Sequence, residues 1–151
     1  MAEEFFNADM EFFLDRRVDW GAISACGADA NAPDEVETYN VVLRTAGEIC
    51  EAIDDGARSQ WHEHVVLEDG EVVVPPHIAA GSARLRAAGL VSLPLGPAYG
   101  GYGLPSLVNS AFLEMIARAD SSLMTIVGLQ AGVAHDMESY GSDELKARYR
   151  G

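Results

Sequence analysis

Apolar residues recur every three or four positions along most of the chain, which is the spacing of one face of a helix. This repeat predicts helices over residues 5–15, 35–54, 77–88, 107–119 and 122–139. Most of them have a polar opposite face, but residues 123–133 carry no charge, so the last long helix is predicted to be buried nearly all round. The pattern therefore predicts an all-α fold, arranged as a helical bundle.

The breaks between these helices carry signals of their own. Two short β-runs around Asp69-Gly70 predict a small β-hairpin near 64–74, and because two strands alone are marginally stable, we expect it to lie against the helices. Residues 19–33 are small and polar without a period, which predicts a connecting loop. Asp120, with the two serines after it, is predicted to end one helix and cap the next.

Residues 94–105 form the most irregular stretch, with four glycines and three prolines. Its glycines allow positive φ and close approach of the backbone, so a tight turn is predicted, entered by an extended run over residues 90–93. A glycine-rich loop before a helix can hold a phosphate, but no strand precedes this loop and no Lys-Ser/Thr pair follows it. A phosphate site is therefore not favoured.

The composition is that of an ordinary globular domain, since hydrophobic residues make up 48% and charged residues 23% of the 151. No apolar run reaches about 18 residues, so no membrane span is predicted. The acidic N-terminus, MAEEFFNADMEFFLD, is unlike a secretory signal. Cys26 and Cys50 are too few for a disulfide framework and favour buried or free thiols in a reducing cytoplasm, so we expect a cytoplasmic protein.

Charge and side-chain chemistry narrow the classes of function. The net charge of −14 argues against nucleic-acid binding, which needs a basic face, and a solvated acidic surface is favoured over a docking site for a basic partner. No nucleophile–base pair and no metal-ligand spacing is present, and the four histidines are expected to be exposed or hydrogen-bonded. Glu114 lies among apolar residues, yet a helix-surface or capping role is favoured over that of a general base. No catalytic residue and no metal ligand is predicted.

Four blocks follow one another in a distinctive order: residues 89–90 (GL), 97–105 (PAYGGYGLP), 114–122 (EMIARADSS) and 140–146 (YGSDELK). Together they resemble the N-terminal helical domain of the acyl-CoA dehydrogenases, flavoproteins that oxidise acyl-CoA thioesters at the α and β carbons. The opening DMEFFL at residues 9–14 is similar to the longer bacterial type, which includes enzymes acting on 3-methylmercaptopropionyl-CoA.

The resemblance implies an N-terminal segment over 1–34, with a short helix and a loop, followed by the helical domain over 35–151. It implies FAD as cofactor, with a role in fatty acid metabolism, and assigns the flavin mainly to a middle β-domain and the α-proton to a glutamate of a C-terminal helical domain. Neither domain is expected within these residues, so the chain alone should not hold FAD tightly, and its cofactor-binding residues stay unknown. The partners implied are an acyl-CoA substrate, the remaining domains or a partner chain, and a homo-oligomer when complete.

The resemblance also implies a substrate surface on the last long helix, because the corresponding helix of the family lines the acyl cavity. Aligned without gaps, Met124, Gly128 and Gly132 fall on the cavity-facing positions, and their spacing of four puts them on one stripe. An equally favoured interpretation is that the two glycines let another helix approach closely.

The function expected is therefore that of the N-terminal portion of a flavin-dependent acyl-CoA dehydrogenase. The alternatives are a non-catalytic helical binding or assembly module and one chain of a split enzyme.

Overall fold

A computed structural model describes residues 5–26 and 36–149 of the chain. The helices are α1 Ala8–Arg16, α2 Trp20–Cys26, α3 Val36–Gln60, α4 Pro76–Ala87, α5 Ser106–Ala119, α6 Ser121–Tyr140 and α7 Asp143–Tyr149. Two strands, β1 Val66–Glu68 and β2 Glu71–Val73, form an antiparallel hairpin, and short 3₁₀ turns span Leu90–Ser92 and Pro97–Tyr99. The predicted helical bundle with a small hairpin is confirmed.

The core lies where α3 and α5 pack side by side, with α4 and α6 against them. The apolar stripe of α3 places Tyr39 and Leu43 in this core, and the stripe of α5 adds Phe112 and Met115. Cys50 of α3 is fully buried among them, and burial raises the pKa of its thiol to about 12, against the opposing charge of Arg118. A thiol in this state stays protonated at neutral pH, so Cys50 is a packing residue rather than a nucleophile.

The N-terminal segment is more helical than predicted. Residues 19–33 were expected to form a loop, but α2 occupies Trp20–Cys26, and residues 27–33 lie outside the described residues. Trp20 fixes α2 in place because its indole Nε1 donates to the carbonyl of Leu14 at 2.9 Å and its ring lies 5.0 Å from that of Tyr39. The apolar pattern of residues 20–26 is too weak to predict a helix, and the position of α2 depends on the contacts that Trp20 makes with Leu14 and Tyr39.

The phenylalanines of the first segment divide into two pairs. Phe5 and Phe6 are buried and cap the core, with the guanidinium groups of Arg118 and Arg44 lying 5.2 and 5.4 Å from their ring centres. Phe12 and Phe13 are exposed. Of these four phenylalanines, only Phe5 and Phe6 belong to the core.

The hairpin forms where the Asp69-Gly70 signal predicts it. Both residues have positive φ, 51° and 84°, as a two-residue hairpin turn of the primed kind requires. Val66 pairs with Val73 and Glu68 with Glu71. Every residue of both strands is exposed, however, so the expectation that the hairpin lies against the helices is wrong.

The loop over residues 94–105 is a tight turn in which two glycines meet different demands. Gly100 has a φ of 74°, whereas Gly101 is surrounded by backbone: a Cβ there would lie 2.1 Å from the Leu95 carbonyl oxygen and 2.5 Å from that of Ser92. The run before the loop is a 3₁₀ turn over Leu90–Ser92 and not the extended segment predicted, since Gly89 ends α4 with a φ of 71° and reverses the chain at once.

Candidate substrate surface

Helix α6 carries the predicted substrate residues, and Asp120 fixes where it begins. The Asp120 carboxylate accepts hydrogen bonds from the backbone N–H groups of Ser122 at 2.9 Å and Leu123 at 3.0 Å, so the predicted cap is confirmed. The same carboxylate lies 3.4 Å from Nε2 of His77 at the start of α4, and both side chains are about nine-tenths buried. No local sequence pattern indicates this contact, because the two segments are far apart in the chain.

The faces of α6 differ sharply in exposure. Leu123, Val127 and Ala131 point into the core, whereas Leu129 is 67% and Val133 57% exposed. The helix was predicted to be buried nearly all round, and in the part of the chain that the structure describes this is wrong. One apolar side of α6 is covered by α4 and α5, and the opposite apolar side faces outward.

The three predicted substrate residues lie beside the buried stripe. Met124 and Gly128 are half-buried and Gly132 is exposed. A Cβ added to Gly128 would lie 3.6 Å from Cδ2 of Leu113 and 3.8 Å from Sδ of Met124, both ordinary contact distances. A Cβ on Gly132 would meet no other described atom within 4 Å.

Gly81 of α4, in contrast, lies at a close contact between two helices. A Cβ there would lie 2.7 Å from Cδ2 of Leu123, which is closer than carbon atoms approach one another. Gly128 and Gly132 have no such neighbour, so no described helix requires a glycine at either position. Glycine in a helix costs about 1 kcal/mol relative to alanine, and packing between the described helices does not account for that cost at Gly128 or Gly132.

The carboxylate that the sequence places among apolar residues lies at the surface. Glu114 is exposed on α5, as the favoured helix-surface role requires. Within residues 5–26 and 36–149, no three His, Cys, Asp or Glu side chains come together as a metal site. None of the helices described is long and apolar enough to span a bilayer.

The glycine-rich loop does not form a phosphate cradle, because its N–H groups are engaged. The N–H of Gly96 points between the two carboxylate oxygens of Glu138 on α6, at 3.2 and 3.3 Å. The N–H groups of Gly101 and Gly103 donate to the carbonyls of Gly96 at 3.3 Å and Leu95 at 2.7 Å. A flavin diphosphate would meet engaged donors and a carboxylate here, so this loop does not fit FAD.

Two of the open clefts on the described surface lie next to the ends of α3 and α4. The larger, of about 520 Å³, lies between the segment before the hairpin and the α5–α6 junction, where it is lined by Trp61, His64, His77 and Asp120. The other, of about 450 Å³, lies between the ends of α3 and α4. Neither pairs a nucleophile with a base, so neither defines an active site by itself.

Comparison with known proteins shows to which family the chain belongs. Residues 47–150 match the family described as acyl-CoA dehydrogenase, N-terminal domain, and the chain belongs to this family. A particular relative is 3-methylmercaptopropionyl-CoA dehydrogenase of Ruegeria pomeroyi, which is 28% identical over 142 residues. The match covers 93% of this chain and 24% of the relative, so the chain spans about a quarter of the length of that enzyme. The resemblance read from the sequence blocks is confirmed, and no solved structure matches the chain.

Proposed function

We propose that this chain is the N-terminal portion of an FAD-dependent acyl-CoA dehydrogenase and that it contributes one wall of the acyl pocket. Membership of the family supports the reaction class, and the relative named for an acyl-CoA substrate supports the thioester. The reaction removes a proton from the α carbon and a hydride from the β carbon, and the flavin is reduced. We place the base and the flavin in domains outside these 151 residues, in a homo-oligomeric complete enzyme.

The observation that carries the proposal is an apolar stripe of α6 that runs from the half-buried Met124 and Gly128 to the exposed Gly132. These three residues lie one turn apart, without charge and, at the two glycines, without side chains. A surface of this kind accepts an alkyl chain because it offers apolar contact and leaves room for it. The acyl part of the substrate would lie along this stripe, held by contact alone, while polar recognition of the thioester and coenzyme A falls to other parts of the enzyme.

Flavin content and turnover test the proposal directly. We expect the complete enzyme, prepared from its native source, to have a larger mass than this chain, to show flavin absorption after dialysis and to reduce an artificial electron acceptor with an acyl-CoA. The isolated chain should show neither property. The acyl-CoA panel should include 3-methylmercaptopropionyl-CoA beside short and long straight-chain thioesters.

The alternatives lead to different results in the same experiment. A native protein of this length without flavin or turnover would indicate a binding or assembly module. Flavin and activity that appear only when a second chain is added would indicate a split enzyme. Stoichiometric flavin and turnover in the isolated chain would contradict the assignment of both to other domains.

Gly128→Leu in the complete enzyme tests the substrate stripe. The added side chain should fill space that a bulky acyl group needs, so kcat/KM for a long acyl-CoA should fall about tenfold while that for a short one stays nearly constant. The melting temperature should hold, because leucine favours a helix more than glycine does and the position is not crowded. Gly56→Leu is a matched control, since Gly56 lies in α3 with no neighbour within 4 Å of a Cβ. A uniform loss of activity with a lower melting temperature would assign Gly128 to packing against another domain.

A further inference from the structure

Leu113 of α5 is the side chain of another element that comes nearest to the Cβ position of Gly128 in the predicted substrate stripe. Its two terminal methyl carbons lie 3.6 and 3.8 Å from the point where a Cβ of Gly128 would be, and Sδ of Met124 lies 3.8 Å from the same point. Leu113 is half-buried and packs against the core with its other side. Two apolar side chains therefore converge on the gap that Gly128 leaves.

The connection between α5 and α6 explains this convergence. The single residue Asp120 joins the two helices, so positions at similar distances before and after it lie opposite one another when the helices pack side by side. Leu113 is seven residues before Asp120 and Gly128 eight residues after it, which places both about 10–12 Å along their helices.

The stripe of Met124, Gly128 and Gly132 has a crowded and an open end. At Gly128 the atoms of Leu113 and Met124 lie within contact distance of a Cβ position, whereas one turn further along α6, at Gly132, no side chain and no other described element lies within 4 Å of that position. Leu113 therefore stands at the crowded end, beside the contact between α5 and α6.

We infer that Leu113 is a specificity-determining residue of the dehydrogenase and that its side chain sets how closely a bulky acyl group can approach Gly128. This inference rests on the proposed function, because it takes the group that lies against Gly128 to be the acyl chain of an acyl-CoA. Gly128 supplies the room, and Leu113 with Met124 limits it. The three residues act together, so a change at one alters the effect of a change at another.

The test uses the complete enzyme and measures kcat and KM for a short straight-chain, a long straight-chain and a branched acyl-CoA. Leu113→Ala should raise the ratio of kcat/KM for the branched substrate over the short one by about tenfold, since a few methylenes in an apolar pocket are worth that much discrimination. Leu113→Met conserves volume and should leave the ratio close to that of the unmodified enzyme. Leu107→Ala, a half-buried leucine on the same helix, is the control for lost packing.

A double variant distinguishes shared space from general loosening. Leu113→Ala placed on Gly128→Leu should restore most of the branched-substrate activity that Gly128→Leu removes, because the new side chain then occupies the volume that Leu113 left. If the changes in kcat/KM of the two single variants simply add in the double variant, the assignment of Leu113 is overturned. The same holds if Leu113→Ala and Leu107→Ala change the kcat/KM values of the three substrates in the same way.

If Leu113→Ala does not fold, Leu113→Val takes its place. We then expect a smaller change of the branched-to-short ratio in the same direction, and an unchanged ratio would overturn the assignment. An unmodified complete enzyme that turns over no acyl-CoA would instead overturn the proposed function.

Discussion

Gly101→Ala is expected to destabilise the chain by more than about 3 kcal/mol, because overpacking against rigid backbone has no inexpensive relief. The added methyl group would lie 2.1 Å from one carbonyl oxygen and 2.5 Å from another, those of Leu95 and Ser92. Neither oxygen can move alone, since Leu95 also accepts the 2.7 Å hydrogen bond from Gly103 that closes the loop. The substitution should open the loop over residues 94–105 and lower the midpoint of urea unfolding.

Gly100→Ala is the matched control for this effect. Gly100 has a φ of 74°, but nothing lies within 4 Å of its Cβ position, so the cost is one residue in the left-handed region, about 1–2 kcal/mol. Circular dichroism during urea unfolding of both variants and of the unmodified chain measures the difference. Equal losses at the two positions would show that the backbone around Gly101 relaxes, so that crowding there costs no more than the left-handed conformation of Gly100.

Asp120→Ala should cost about 2–4 kcal/mol, because one side chain serves two partners. It caps α6 through two backbone N–H groups, and it also lies 3.4 Å from Nε2 of His77 in a nearly buried pair. Loss of the carboxylate therefore removes a helix cap, typically worth about 1 kcal/mol, and leaves the nearly buried imidazole of His77 without its polar neighbour, at about 1–3 kcal/mol. The free energy of unfolding measures the sum.

Asp120→Ser separates the two contributions. Serine retains a capping oxygen, but its side chain is shorter and does not carry the second oxygen that faces His77. We expect Asp120→Ser to be more stable than Asp120→Ala by roughly the capping energy of about 1 kcal/mol. Equal losses for the two variants would mean that the His77 contact, and not the cap, carries the stability of this junction.

The helices were predictable because their signals are local. Apolar residues at a spacing of three and four define one face of α3 and of α5, and the structure buries those faces in the core. The turn at Asp69-Gly70 and the cap at Asp120 were predictable for the same reason, since each depends on residues that are neighbours in the chain. Family membership was predictable because the order of several blocks is informative where one block is not.

What could not be predicted depends on contacts between distant segments. The pairing of His77 with Asp120 joins the start of α4 to the start of α6. Helix α2 is held in place by Trp20, whose indole donates a hydrogen bond to Leu14 of α1 and whose ring lies tilted against that of Tyr39. The apolar composition of α6 predicts that every side of the helix is buried. Composition does not show which sides the rest of the chain covers, and the side with Leu129 and Val133 is exposed. The sequence does not single out Leu113, because it is one of many apolar residues in α5. Only the distance of its methyl carbons from the Cβ position of Gly128 distinguishes it.

The β1–β2 hairpin will influence how the isolated chain behaves at high concentration. No other strand of the described chain pairs with either edge, and Leu67 and Val72 project from it with exposures of 73% and 68%. Apolar strands with free edges are templates for association with other molecules. Glu68 and Glu71 face one another beside the turn, and together with the net charge of −14 they repel a second copy. Salt screens this repulsion, so self-association through the hairpin should grow with ionic strength as well as with protein concentration.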